Sequence, residues 1–230
     1  MKFDAKMKRS ITRDWKEQFP TFIVWKPDRL IKRYGPVLVG ICFEPSGSND
    51  DYTPIVHMHN LSIPFPTISL ALAGRVLDDK GVIKRIDITD HEKKYMQFVD
   101  QIQLEYPYID KDKIDFNDLV LATHKYLSGR YILHQTSPYN MIITTAVYLG
   151  QMEYAMEALN QFKEIISKWP DRAFNIIGSV DKWREGMLEM INKPDEICAN
   201  VEEEIIKHKL TGIEDQSLLW PEKPLKLWEM

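Results

Sequence analysis

The sequence is poor in the features that identify disulfide-rich, zinc-finger and membrane-spanning proteins. It has only two cysteines, Cys42 and Cys198, and no C-x-x-C pair, whereas disulfide frameworks and structural zinc sites need more cysteines at regular spacings. No apolar run approaches the ~18 residues that span a bilayer, and the charged N-terminus lacks the apolar core of a signal peptide. We therefore expect a protein of a reducing compartment, the cytoplasm, that has no membrane partner.

The chain also lacks the motifs of the common enzyme classes. There is no G-x-S-x-G for a nucleophilic serine, no G-x-x-x-x-G-K-[ST] for phosphates and no G-x-G-x-x-G for a dinucleotide. His91-Glu92 begins like the H-E-x-x-H metalloprotease motif, but Tyr95 stands where the second histidine is required. These absences make a non-enzymatic protein the favoured interpretation.

Charge is unevenly distributed along the chain. The formal net charge is −4, but residues 1–33 hold ten Lys and Arg against four acidic residues, so this segment carries +6 and the remainder −10. The overall acidity argues against nucleic acid as a partner. We interpret the N-terminal cations as the solvated face of a helix, the alternative being a contact with phosphates or an acidic partner.

Two strands at the centre of the N-terminal half organise the predicted fold. Residues 36–43 form an almost unbroken apolar run, as in a strand buried on both faces, and residues 52–61 follow as a second strand. Further strand patterns occur at 67–77 and 82–88, and the short connections favour an antiparallel meander. The sequence therefore predicts an antiparallel sheet of about four strands.

The segment before this sheet is predicted to be mainly helical. Apolar residues recur every four positions from Phe3 to Phe19, which indicates an amphipathic helix. Pro27 and Gly35 then stand where helices often begin and end, and they predict a helical turn over 27–34.

From residue 89 the apolar period changes to that of helices. Thr89 and Glu92 have the spacing of a capping box, and Asp115, Ser179 and Gly212 are further expected helix boundaries. We predict five to six helices in residues 89–230 after a β-containing half in residues 1–88. The predicted class is α+β, either as two domains or as one continuous domain.

Gly150 divides the longest helical pattern, which runs from Ser137 to Trp169. Gly150 and Ala155 stand as in the inter-helix turn of a tetratricopeptide unit, which this segment of about 30 residues resembles. A second copy at the ~34-residue period is absent from the sequence. The prediction is therefore an αα-hairpin and not a repeat array.

His57 and His59 form the most compact polar pattern with a chemical use. Two residues apart on a strand, they fall on the same face, about 7 Å apart at Cα, within reach of a Zn²⁺ or Fe²⁺ ion. A third ligand is required, and the candidates are His124, His134, Asp50 and Asp51. The favoured interpretation is that both imidazoles pack in the sheet, with a divalent metal site as the alternative. The sequence predicts no other cofactor.

The C-terminal segment 218–230 is unusually apolar for a chain end. It includes Trp220 and Trp228, with Pro221 and Pro224 between them, so it cannot form a regular helix. We predict that it is ordered and docked by the two tryptophans on the same chain, a second copy or a partner.

These features favour a non-enzymatic intracellular protein that acts through a protein–protein surface, in a toxin-neutralising, immunity-like or adaptor role, or through self-association. The alternative is a metal-dependent hydrolase or oxygenase that uses His57 and His59.

Overall fold

The computed structural model describes residues 2–129 and 134–230. It has an N-terminal helix, an antiparallel sheet of five to six strands and then a half with about six helices. The predicted α+β class is thereby confirmed.

Contacts divide the chain into two interleaved units. The first consists of Met1–His59, Leu72–Lys113 and Ile213–Ser217. The second consists of Asn60–Ala71, Ile114–Gly212 and Leu218–Met230. These units have other bounds than the predicted division at residues 1–88 and 89–230. Whether the chain folds as two domains with those bounds stays a prediction.

The first unit holds most of the sheet and the helices α1 and α2. Its elements are α1 (Ala5–Gln18), β1 (Ile23–Lys26), β2 (Arg29–Tyr34), β3 (Val37–Pro45), β4 (Asp51–Asn60), β5 (Ala71–Arg75), β6 (Ile86–Asp87) and α2 (His91–Glu105), with Asn60 and Ala71 assigned to the other unit. The strand order is β1-β2-β3-β4-β5, and β6 pairs with β4. The predicted meander is confirmed in part at its last strand, because Leu77 and Ile83 form an antiparallel bridge. The end of that strand, β6, instead joins the first residues of β4, where Ile86 lies opposite Tyr52.

Strand β2 corrects the predicted helical turn over 27–34. Its residues pair antiparallel with β1 on one side and β3 on the other, for example Leu30 with Val24 and with Ile41. Gly35, at φ 53°, occupies the β2–β3 turn. Proline and glycine mark tight turns as readily as helix ends, and here they bound a strand that satisfies its backbone groups on both edges.

A chain of buried hydrogen bonds joins α1, β4 and α2. The Trp15 indole N–H donates to the Tyr52 hydroxyl (3.0 Å), which lies 2.7 Å from Nδ1 of His91, and Nε2 of His91 lies 3.2 Å from a carboxylate oxygen of Asp14. An indole only donates and a carboxylate only accepts. The assignment that satisfies every atom is a neutral His91 that accepts from Tyr52 at Nδ1 and donates to Asp14 from Nε2.

The environment of His91 agrees with that assignment. Burial lowers the pKa of the imidazole below its usual value, although the nearby Asp14 carboxylate opposes this shift. The Tyr95 ring stacks on the imidazole at a centroid distance of 4.8 Å. A neutral, stacked histidine therefore completes the polar network in the interior of this unit.

The predicted capping box at Thr89 and Glu92 does not form. The Asp87 carboxylate accepts from both the backbone N–H (2.8 Å) and the hydroxyl (2.6 Å) of Thr89, and so holds it in a 3₁₀ turn, Ile88–Asp90. Helix α2 begins afterwards, at His91. Both donors of Thr89 are thus bound to Asp87, two residues upstream, and are not available for a capping box with Glu92.

The second unit is mainly helical. Its elements are β7 (Ile114–Asp115), α3 (Phe116–Leu127), α4 (Ser137–Tyr148), α5 (Met152–Ile166), α6 (Asp171–Ile177), α7 (Val180–Ile191), α8 (Pro194–Lys207) and β8 (Leu218–Leu219). Asp115 and Ser179 cap α3 and α7 as predicted. The expected end of α8 at Gly212 is wrong: Lys209 takes a left-handed φ of 58°, and the Leu210 N–H reaches the Ile205 carbonyl (2.8 Å), so the helix closes earlier.

The turn at Gly150 confirms the predicted αα-hairpin. Helix α4 ends at Tyr148 and α5 begins at Met152, with Gly150 between them at φ 75°. The Gln151 N–H donates to the Ala146 carbonyl (2.9 Å), which closes the helix end. An L side chain is strained at this φ, so the turn favours glycine.

We predict that Gly150→Ala lowers the free energy of unfolding by about 1 kcal/mol, because alanine disfavours a left-handed φ. The matched control is Gly186→Ala, inside α7, where an added Cβ meets no atom within 4 Å. That change should stabilise the protein by about 0.5–1 kcal/mol through helix propensity. Urea unfolding measures both, and an equal stabilisation by the two substitutions would contradict the turn geometry.

Candidate functional site

The two histidines of the predicted metal pair lie in the interior of the sheet. His57 and His59 point to the same side of β4, and their side chains are 0% and 2% exposed. The His57 ring packs directly on the backbone of Gly40 in β3, where a Cβ would lie only 2.4 Å from Nε2. Both imidazoles are thus enclosed and do not line an open cleft.

The candidate carboxylate ligands have other partners. Asp51 pairs with Arg85 (3.1 Å), and Asp50 accepts a hydrogen bond from Ser48. Asp51 precedes His57 by six strand residues, about 20 Å along β4, so the structure does not bring these acids to the histidine pair. His124 and His134 belong to the second unit. The metal site at His57 and His59 stays a prediction.

We predict that His57→Ala lowers the free energy of unfolding by about 1–3 kcal/mol, because it removes a buried side chain. Gly40→Ala should also destabilise the protein, since its Cβ collides with the imidazole. In the His57→Ala background the added Cβ has room, so Gly40→Ala should cost less there. Strictly additive effects of the two substitutions in urea unfolding would contradict this contact.

Glu204 is a buried acid that sequence reasoning missed. Its carboxylate accepts from Nζ of Lys207 (2.7 Å), Nε2 of His208 (3.0 Å) and the Phe65 backbone N–H (3.2 Å). Burial opposes its ionisation, but these donors outweigh that effect and lower the pKa of the carboxyl group. Glu204 and His208 are residue types that bind metals, yet the Lys207 ammonium already compensates the carboxylate charge. One feature of the sequence indicates its burial: Glu204 follows the apolar residue Ile197 by seven positions, or two helical turns, and so lies on the same inner side of α8.

The C-terminal segment Leu218–Met230 packs on aromatic residues of its own unit, as predicted. Trp220 lies against Phe116 (centroids 4.6 Å apart) and meets the Tyr154 ring edge-on at 5.3 Å. Trp228 lies 5.3 Å from the same Tyr154 ring and 5.6 Å from Phe162. Tyr154 therefore contacts both tryptophans, and helices α3 and α5 supply the other two rings.

Hydrogen bonds hold the backbone of this segment between the two tryptophans. The Asn117 side chain donates to the Lys223 carbonyl (3.1 Å) and accepts from the Leu225 N–H (2.7 Å), as a neighbouring strand would. The Tyr154 hydroxyl donates to the Leu225 carbonyl (2.7 Å). At its start the segment pairs through β8 with β7. Polar contacts thus fix the segment even where two prolines prevent regular structure.

Several apolar side chains of the segment stay accessible, beside the exposed charged residues Glu222, Lys223 and Glu229. Leu219 is 51% and Met230 50% exposed, Leu225 is exposed as well, and both tryptophans are half-buried. We call these five residues (Leu219, Trp220, Leu225, Trp228 and Met230) the C-terminal patch. Lys226 borders it, paired with Glu157 at 2.7 Å. The segment therefore presents exposed apolar side chains on a backbone that hydrogen bonds hold in place.

Neither protein-family models, nor curated proteins, nor solved structures gave a match to this chain. Every helix in residues 2–129 and 134–230 is shorter or more polar than a membrane-spanning segment requires.

We predict that Tyr154→Phe lowers the free energy of unfolding by about 0.5–1.5 kcal/mol and speeds amide exchange in residues 218–230, because it removes the bond to Leu225 while keeping the ring. The control is Tyr139→Phe in the same unit. The Tyr139 ring packs on Phe162, and its hydroxyl has no partner among the described residues. Exchange rates of the segment that are equal in the two variants would show that the hydroxyl does not hold it.

Proposed function

We propose that this chain is a non-enzymatic protein that binds a protein partner, or a second copy of itself, through the C-terminal patch. The observation that supports this proposal is that Trp220 and Trp228 are packed against the protein and are still partly accessible to a partner. One side of each ring packs on Phe116, Tyr154 or Phe162, while the residue as a whole stays half-buried. Tryptophans that are held in place and still accessible are typical of the energetic centres of interfaces.

Order in the free protein supports the same proposal. A disordered apolar tail loses conformational entropy when it binds, whereas this segment is already held by Asn117 and Tyr154. The apolar atoms of its exposed leucine and methionine side chains can contribute about 25 cal/mol for each Å² that a partner covers. The segment thus presents a rigid surface on which little binding energy is lost to ordering.

The partner class follows from charge and cysteine use. The acidic net charge of −4 supports a protein partner over nucleic acid, and it would speed association with a basic partner. Both cysteines are free thiols, which supports a cytoplasmic location. A toxin-neutralising or adaptor role fits these properties.

The test compares two variants with wild type in recovery of partners from the native cell. Leu219→Glu combined with Met230→Glu changes the exposed side of the patch. Ile176→Glu combined with Ile206→Glu is the matched control, because these side chains are 85% and 67% exposed elsewhere in the same unit. Quantitative mass spectrometry of the recovered complexes and light scattering of the purified proteins measure partner binding and oligomeric state.

We expect wild type and control to recover the same near-stoichiometric partner, or to form the same oligomer. The amount of recovered partner, or of oligomer, should be at least tenfold lower for the patch variant. Equal recovery by all three proteins, or the absence of any stoichiometric partner and oligomer, would overturn the proposal. Equal melting temperatures of the two variants show that the loss does not come from unfolding.

A further inference from the structure

Helix α1 carries a row of cations on one side. Lys6, Arg9, Arg13 and Lys16 follow one another at intervals of three and four residues within Ala5–Gln18, so they lie within a narrow sector of the helix surface. The row extends about 15 Å along the helix axis. The first three side chains are exposed and Lys16 is half-buried. We call these four residues the basic row.

Most of this charge is not compensated within the protein. Arg13 lies 3.5 Å from Asp14, and Lys16 donates to the Pro20 carbonyl (2.8 Å). Lys6 and Arg9 have no carboxylate partner in residues 2–129 and 134–230. Besides Asp14, the N-cap residue Asp4 and Glu17 are exposed acids of the same segment. The row therefore keeps a local positive charge in a chain whose net charge is −4.

The structure argues against a lipid surface as the partner of this row. An amphipathic helix that binds a membrane buries its apolar face among the lipids. The apolar face of α1 already lies inside the first unit, where Ile11 and Trp15 are 0% exposed. Only the polar side of the helix is left for an external contact.

Nucleic acid also fits poorly. Proteins that bind single strands combine cations with exposed aromatic rings that stack on bases. The rings of α1 and of the residues that flank it in the chain, those of Phe3, Trp15 and Phe19, are at most 2% exposed. Tyr95, which contacts Trp15, is half-buried. A net negative protein also repels a long polyanion. These observations leave a short, locally acidic surface as the fitting partner.

We propose that the basic row of α1 binds an acidic segment of a partner protein, with carboxylates at helical spacing. Carboxylates placed three and four residues apart on a partner helix match the spacing of the row, so each can meet one cation. This contact is on the first unit and does not depend on the C-terminal patch of the second. It adds an electrostatic surface that favours one orientation of the partner.

The test uses a synthetic helical peptide of alanine and glutamine with glutamates at positions i, i+3, i+7 and i+10, labelled for fluorescence anisotropy. A peptide of equal composition with the glutamates scrambled, a 20-nucleotide single-stranded DNA and phosphatidylserine vesicles are the comparison probes. The protein variant is Lys6→Glu with Arg9→Glu. Its control is Lys168→Glu with Arg172→Glu, two exposed cations of the second unit with the same change in net charge.

At 50 mM salt we expect the patterned peptide to bind at least fivefold more tightly than the scrambled one, and to weaken at 200 mM. The row variant should bind at least tenfold more weakly than wild type, and the control less than threefold. A variant with Lys6→Gln and Arg9→Gln should fall between them. Failure of the patterned peptide to bind, equal loss in the row variant and its control, or tighter binding of the DNA or vesicles would overturn the proposal.

Discussion

The position of Tyr154 is the constraint on which the candidate site depends. Its ring contacts Trp220 and Trp228, and its hydroxyl donates to the Leu225 carbonyl between them. Tyr154 belongs to α5, which begins directly after the turn at Gly150, and it meets Phe116 at the start of α3 edge-on. Aromatic pairs of this kind add about 0.5–1.5 kcal/mol each to the burial of their surface. One residue thus connects the helical hairpin with an ordered C-terminal segment.

The first unit is held together by different means. Its interior contains the hydrogen-bonded chain from Trp15 through Tyr52 and His91 to Asp14, which fixes α1 against β4 and α2. Each member is satisfied only when α1 and α2 have one relative position, so the network specifies geometry more than it adds stability. It also orients α1 with its apolar residues inside, and this orientation leaves the basic row on the outside.

Elements marked by strong local signals were predictable from the sequence. Asp115, Ser179 and Gly150 act on neighbouring backbone groups, so their roles follow from residue type and spacing alone. The strand in segment 27–34 was not predictable from the sequence, because Pro27 and Gly35 suit turns and helix ends equally. Pairing with β1 and β3 fixes this strand. The predicted capping box at Thr89 was wrong for a local reason, because the Asp87 carboxylate accepts the hydrogen bond from the Thr89 N–H.

Long-range contacts explain what the sequence left open about the sites. Alternation placed His57 and His59 on one face, but only the approach of His57 to Gly40 shows how tightly the pair is enclosed. The composition of the C-terminal segment predicted docking by Trp220 and Trp228, whereas the partners Phe116 and Tyr154 lie far away in the chain. Glu204 is one of three consecutive glutamates at 202–204, and only its contacts with Lys207 and the Phe65 N–H distinguish it from its neighbours.

We propose that the C-terminal patch contacts a partner in the cell. Photo-crosslinking tests it most directly, with Leu219→p-benzoylphenylalanine in the patch and Ile176→p-benzoylphenylalanine as the exposed reference position. We expect one discrete crosslinked protein, or a crosslinked dimer, from position 219 and none from position 176. The absence of a discrete product at 219, or the same products at both positions, would contradict it.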